Sequence, residues 1–158
     1  DYYHNDMNIE KQKEYFIKQL DLAKKYNLPV VIHSRDSIQD IYDILKEYDL
    51  KGVIHCFSGS IEMAKLFVEK GYKLGIGGVL TFKNSHLKEV VEELDINNFV
   101  LETDSPYLSP EPMRGKSNCP ENVKYTANKI AEIKGISFEE VAEATYQNAC
   151  RFYSITNN

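Results

Sequence analysis

Pro29-Val30-Val31-Ile32-His33 is a short run of mostly β-branched apolar residues that ends in a histidine. Three further runs have the length and composition of buried strands, at residues 52–57, 72–76 and 99–104. Amphipathic stretches separate the runs, and no low-complexity linker interrupts the series. This alternation predicts βα units and a parallel sheet.

The predicted strands are regularly spaced along the chain. His33 and His55 are 22 residues apart, and Asp104 lies 49 residues beyond His55 with one further strand between them. A repeat of about 25 to 30 residues is typical both of a (β/α) barrel and of a doubly wound sheet. The four strands by themselves leave both folds open.

The stretches between the strands carry apolar residues at helical spacing, which predicts helices that pack against the sheet. The clearest sets are Ile38, Ile41, Tyr42 and Leu45, and Leu87, Val90, Val91 and Leu94. Capping boxes predict the first of these helices at Asp36 with Gln39 and the last helix of the chain at Ser137 with Glu140. Gly71 is placed to end a helix in the left-handed conformation, and Pro120 suits a first helical turn.

The composition is that of an ordinary globular domain, with 42% apolar and 27% charged residues. The net charge of −5 argues against binding nucleic acid through overall basicity, so any such binding needs a local site. Cys56, Cys119 and Cys150 include no CxxC pair, which favours a reducing cytoplasm over a disulfide framework. No apolar run approaches the roughly 20 residues of a membrane helix, and we expect no membrane partner.

His33, His55 and Asp104 fall at the carboxyl ends of three predicted strands. In parallel α/β folds the functional side chains collect at that edge of the sheet. Imidazole and carboxylate together are ligands for zinc and related divalent ions, so the set predicts a metal site. A single histidine ending a buried strand is more often structural, and only the combination favours metal binding. His4 and His86 lie outside this pattern and are expected at the surface.

The residues around these three positions resemble the successive motifs of the TatD family of metal-dependent hydrolases. The matching segments, in the family's order, are Asp1-Tyr2-Tyr3, Leu28 to Arg35, Gly52 to Gly59, Leu101 to Leu108, and Arg114-Gly115-Lys116 followed by Asn118 and Pro120. The resemblance covers essentially the whole chain. It implies a TIM-type (β/α)8 barrel that holds two divalent metal ions, Mg, Mn or Zn.

The resemblance also implies an activity and roles for individual residues. The family hydrolyses phosphodiester bonds in DNA, often as a 3′-to-5′ exonuclease on single strands, so single-stranded DNA ends are the expected partner. His33 and His55 are then the expected ligands of one metal ion. Asp104 is expected to bind the other ion and to act as the base toward the attacking water. Bound ions can supply the positive charge that an acidic surface lacks.

Three residues are candidates for contacts with DNA. Arg35 and Arg114 can grip phosphates through two-pronged guanidinium contacts, although an ion pair or a solvated loop charge explains them equally well. Tyr107 can stack on a base or can simply pack beside Pro106. Glu102 shares its side of the strand with Asp104, and an interior role is favoured over direct metal ligation.

Part of the family pattern is missing from this sequence. The H-x-H pair of the family's first strand is not present, and its metal-bridging Glu would lie four residues before Asp1. A barrel needs about 250 residues. We therefore interpret residues 1–158 as one domain, the C-terminal half of a barrel with about four strands. Such a piece is expected to bind metal weakly, to have little nuclease activity, and to associate through its exposed sheet edges.

Two other functions remain open at this point. An amidohydrolase-type enzyme acting on a small ester, amide or phosphotriester would use much the same ligands. A scaffold fragment without catalysis is also compatible with the incomplete ligand set. Substrate assays separate the first alternative from a nuclease, and a metal titration separates the second.

Overall fold

The computed structural model describes residues 1–3 and 8–155, so the expectation for His4 lies outside the described residues. The structure alternates helices and strands along the chain. The elements are α1 (Ile9–Tyr26), β1 (Val30–His33), α2 (Ile38–Leu45), β2 (Gly52–His55), α3 (Ile61–Glu69), β3 (Lys73–Ile76), α4 (Leu87–Glu93), β4 (Phe99–Leu101), α5 (Val123–Lys134) and α6 (Phe138–Tyr153). Short 3₁₀ turns occupy Gly78–Thr81, Ile96–Asn98 and Pro120–Asn122.

The four strands form one parallel sheet in the order β1-β2-β3-β4. Its central row pairs Ile32 with Ile54, Ile54 with Leu74, and Leu74 with Phe99. This arrangement confirms the predicted α/β fold with parallel strands. The strands are shorter than predicted, and β4 ends at Leu101 because the chain leaves the sheet before Asp104.

The core lies between one face of the sheet and the helices. The central row of the sheet is almost completely buried, and so are Leu45 of α2, Phe67 of α3, Ile130 of α5 and Val141 of α6. Burying one such side chain contributes about 1.5 to 3 kcal/mol. Side chains alternate along a strand, so the opposite face carries His33 and His55, and this face is open at its carboxyl end.

The helix ends confirm three of the four sequence signals. Ser137 and Glu140 form a complete capping box at the start of α6. Gly71 has a φ of +90° after α3, and Pro120 begins a 3₁₀ turn. The capping box predicted at Asp36 is wrong, because Asp36 is left-handed with a φ of 55° and α2 begins one residue later than that box requires.

The helix most exposed to solvent is α1, in which only Leu20 and Ala23 are buried. Its Lys13 forms an ion pair of 2.8 Å with Asp40 of α2, which links the two helices. His86 is exposed, as expected. In the part of the chain that the structure describes, no helix is long and apolar enough to cross a membrane.

Candidate metal-binding site at the carboxyl ends of the strands

His33 and His55 are the last residues of β1 and β2 and are register partners in the sheet. Their ring centroids lie 6.3 Å apart with the planes tilted by 36°. Both side chains project from the face of the sheet that the helices do not cover. The parallel register thus places two imidazoles side by side at one edge.

Asp104 reaches the same edge from the loop after β4. Its φ of 53° turns the chain back over the strand ends, and its Oδ1 lies 3.2 Å from Nε2 of His55. The loop is held by buried Asn118, whose side-chain amide donates to the carbonyls of Thr103 at 2.8 Å and Tyr107 at 2.7 Å. The structure therefore brings His33, His55 and Asp104 together.

Two further carboxylates contact the histidines. Oε2 of Glu102 lies 2.8 Å from Nδ1 of His55, and Oδ2 of Asp1 lies 2.7 Å from Nε2 of His33. The sequence predicts only an interior role for Glu102 and no role in the site for Asp1. The alternation that places Glu102 on the same side as Asp104 was the signal that could have linked it to the site.

The pKa values of the two histidines shift in opposite directions. The hydrogen bond to Glu102 raises the pKa of His55 to about 8, against the desolvation that burial causes, and Asp104 adds to the rise. Partial burial lowers the pKa of His33, and nearby positive charge lowers it further. Burial also raises the pKa of the Cys56 thiol to about 12, which keeps it protonated at neutral pH.

A cavity of about 540 Å³ opens beside these side chains. Its walls include both histidines, Asp104, Arg35 and Tyr107. Tyr107 is 70% exposed at the rim, and the Arg35 guanidinium stacks 3.4 Å from the ring centroid of Tyr3. The cavity has the size of a small-ligand site with an exposed aromatic ring and a cation at its border.

Arg114, the other predicted phosphate contact, lies elsewhere. Its guanidinium stacks 4.0 Å from the ring centroid of Phe82 and donates to the carbonyl of Ser109 at 3.2 Å. It is not one of the described residues that line the cavity. Of the three predicted DNA contacts, the structure places Arg35 and Tyr107 beside the histidines and Arg114 apart from them.

The donor atoms at this edge suit a divalent ion by chemical type, because imidazole nitrogen and carboxylate oxygen are its usual ligands. Among residues 1–3 and 8–155, however, no group of three or more His, Cys, Asp or Glu side chains is arranged to hold a metal ion. The described residues therefore fit a metal in kind but do not assemble a complete site by themselves.

Comparison with known proteins places these motifs in a family. A family model described as TatD related DNase matches residues 1–154, nearly the whole chain. The chain belongs to the TatD family. Its motifs at the ends of β1, β2 and β4 are thus part of a match that runs through all four strands and their helices.

Several relatives match the chain over most of its length. It is 45% identical to the uncharacterized metal-dependent hydrolase YabD of Bacillus subtilis over 98% of the chain. Identity to the uncharacterized metal-dependent hydrolase MJ1582 of Methanocaldococcus jannaschii is 40% over 94% of the chain. The chain spans 62% of the length of the first relative and 58% of the second.

Solved structures show the same fold. The crystal structure of YjjV, a TatD homologue from Escherichia coli K12, matches 99% of the chain with a TM-score of 0.92 at 32% identity. A TatD family hydrolase from Entamoeba histolytica matches 96% with a TM-score of 0.83 at 26% identity. The matched parts make up 61% and 60% of those two chains.

Proposed function

We propose that this chain is part of a divalent-metal-dependent hydrolase that cleaves phosphodiester bonds in DNA, as a 3′-to-5′ exonuclease on single strands. The observation that carries the proposal is the meeting of His33, His55 and Asp104 beside one cavity. The relatives named metal-dependent hydrolases and the family description as a DNase support it.

His33 and His55 would be ligands of one divalent ion and Asp104 a ligand of a second, each Mg, Mn or Zn, with the remaining ligands supplied from outside these residues. When bound, such ions lower the pKa of water to about 7 and stabilise charge on the phosphate oxygens. Asp104 accepts a proton from the attacking water through its carboxylate. Arg35 and Tyr107 bind the substrate at the rim, through a phosphate and a base respectively.

We propose further that residues 1–158 form one domain that corresponds to the C-terminal half of a barrel. The match to 61% of the YjjV chain supports the interpretation that they are part of a larger fold, as do the sheet edges, since β1 and β4 each have one neighbour among the described strands. Val31 lies on the same face of β1 as His33 and is 53% exposed, so it offers apolar surface for association. The remaining metal ligands then come from outside these residues.

The test measures hydrolysis of a single-stranded oligonucleotide labelled at its 5′ end, in Mg²⁺, Mn²⁺ or Zn²⁺. It compares the 158-residue chain with a longer chain extended upstream of Asp1. We expect metal-dependent shortening from the 3′ end by the longer chain and little by the shorter one. His55→Ala abolishes the activity of the longer chain, and His86→Ala, the same substitution at an exposed position, leaves it unchanged.

Three other results would contradict the proposal. Equal loss of activity in His55→Ala and His86→Ala would show that the site is misplaced. Hydrolysis of a small ester or phosphotriester without any DNA cleavage would favour the amidohydrolase type, and its rate would not fall steeply with salt as binding of a polyanion does. A calorimetric titration of the longer chain that shows no metal binding would favour a scaffold without catalysis.

A further inference from the structure

Glu102 is built into the sheet directly beneath the candidate site. It follows the last residue of β4, and its backbone N–H donates to the carbonyl of Ile76 at 3.1 Å, which extends the pairing of β4 with β3. Its side chain is only 16% exposed. The carboxylate is therefore held by the sheet and does not depend on a loop for its position.

The ring of His55 lies between two carboxylates. Nδ1 is 2.8 Å from Oε2 of Glu102, and Nε2 is 3.2 Å from Oδ1 of Asp104, which is more exposed. A neutral imidazole has one N–H to donate, and a carboxylate can only accept it. The shorter contact to the more buried carboxylate favours the proton on Nδ1, which leaves the lone pair of Nε2 directed toward Asp104 and the cavity.

Gly75 explains why the Glu102 carboxylate can occupy this position. A Cβ atom built on Gly75 would overlap Oε2 of Glu102, so the carboxylate rests against the glycine on the neighbouring strand. The other oxygen, Oε1, is buried and has no hydrogen-bond partner among the described residues. Packing against Gly75 and the bond to His55 therefore fix the side chain, with no competing hydrogen bond at Oε1.

We propose that Glu102 is a positioning residue that fixes the Nδ1–H tautomer of His55, and that Gly75 keeps the space it needs. The tautomer matters for the proposed function, on which this step rests, because a histidine binds a metal through an unprotonated nitrogen. Carboxylates commonly have this effect when they accept the N–H of the ring nitrogen that does not bind the metal. Glu102 acts through His55 and does not need to touch substrate or metal.

The test records long-range ¹H–¹⁵N spectra of the histidine rings in the metal-free chain. The spectra are taken in EDTA at pH 9.5, well above the range in which histidine rings usually titrate, so that the ring is neutral. We expect His55 of the unmodified chain to carry its proton on Nδ1. Glu102→Ala should move the proton to Nε2, where the N–H can donate a hydrogen bond to Asp104. Glu102→Gln should keep the proton on Nδ1, because the amide oxygen still accepts.

Gly75→Ala changes the position of the carboxylate without removing it, and it should shift the proton toward Nε2. Gly77→Ala is the matched control, since a Cβ at Gly77 meets its nearest neighbour at an ordinary 3.6 Å. It should leave the tautomer unchanged. Dispersed amide spectra establish that each variant is folded, and the Glu102→Ala and Glu102→Gln pair decides the question if Gly75→Ala does not fold.

Two results would overturn the inference: a proton on Nε2 in the unmodified chain, or a tautomer that Glu102→Ala does not change. A purely structural role for Glu102 would lower stability in all its variants and leave the tautomer as it was. The readout is independent of hydrolysis, so an inactive longer chain with the expected tautomers would contradict only the proposed function. With that function intact, Glu102→Ala weakens metal binding by about 10- to 100-fold.

Discussion

Nε2 of His55 lies 3.2 Å from Oδ1 of Asp104, although the two residues are 49 positions apart in the chain. They meet because β2 and β4 are parallel strands, so both end at the same edge of the sheet. Cys56 and Asp104 have φ angles of 46° and 53°, a conformation that costs a residue other than glycine about 1 to 2 kcal/mol. The surrounding contacts must hold these turns, and on either side of Asp104 the side chain of Asn118 donates to the carbonyls of Thr103 and Tyr107.

Asn118→Ala should therefore destabilise the loop that carries Asp104. The substitution removes the donor that serves the carbonyls of Thr103 and Tyr107, and each hydrogen bond lost at this partly exposed loop costs about 0.5 to 1.5 kcal/mol. Urea unfolding measures the loss. Ser117→Ala at the exposed neighbouring position is the control, with an expected change within about 0.5 kcal/mol. Equal stability of the two variants would show that Asn118 does not hold the loop.

The sequence made the edge of the site predictable but not its contacts. The β-branched runs and their terminal histidines predicted parallel strands and a shared rim, because these features depend on local composition and on the direction of the chain. The hydrogen bond of Glu102 to His55 joins residues 47 positions apart. The hydrogen bonds from Asn118 to Thr103 and Tyr107 likewise depend on how the loop folds back on itself. Such contacts follow from packing, which no residue spacing encodes.

The error at Asp36 has a similar cause. Asp36 and Gln39 have the spacing of a capping box, but the turn after β1 takes Asp36 into the left-handed region and α2 begins at Ile38. Gln39 instead donates to Asp43 at 3.2 Å, one turn along the helix. The path of the chain from the strand end decided the helix start, and the local motif did not.

Arg35→Ala should weaken binding of single-stranded DNA more than Arg114→Ala does. Arg35 lines the cavity beside the histidines, whereas Arg114 is stacked on Phe82 away from it. Losing one phosphate contact lowers the slope of log affinity against log salt by about one. Fluorescence anisotropy with a labelled oligothymidylate across a salt series measures this slope. A larger change in this slope from Arg114→Ala than from Arg35→Ala would indicate that Arg114, and not Arg35, contacts the DNA.

Asn148→Ala should remove the side-chain hydrogen bonds that link α6 to the start of β4. Asn148 is fully buried, and its amide donates to the carbonyls of Ile96 at 3.0 Å and Phe99 at 2.8 Å. Leaving both carbonyls unpaired should lower the free energy of unfolding by about 2 kcal/mol or more. Asn97→Ala makes the same change at an exposed side chain and should cost less than about 0.5 kcal/mol. Chemical unfolding of the two variants at neutral pH compares them, and similar losses would contradict this role of Asn148.

Tyr72 gives the fold a dependence on alkaline pH. The side chain is buried against Phe67, with ring centroids 6.2 Å apart, and its hydroxyl has no hydrogen-bond partner among the described residues. Burial raises the pKa of Tyr72 to about 12, whereas an unfolded tyrosine titrates near 10. The folded state thus holds this proton more tightly, so the contribution of Tyr72 to stability is complete below pH 10 and is lost as the pH rises through 12.

Tyr72→Phe isolates this effect, because every other titrating group is common to both chains. At pH 8 the variant should be as stable as the unmodified chain or more so, since it removes a buried hydroxyl without a partner. Between pH 8 and pH 11 the unmodified chain should lose about 1 kcal/mol more than the variant. Urea unfolding at both pH values gives the four free energies. A difference between the two chains that stays constant over this range would mean that the Tyr72 hydroxyl reaches solvent in the folded protein.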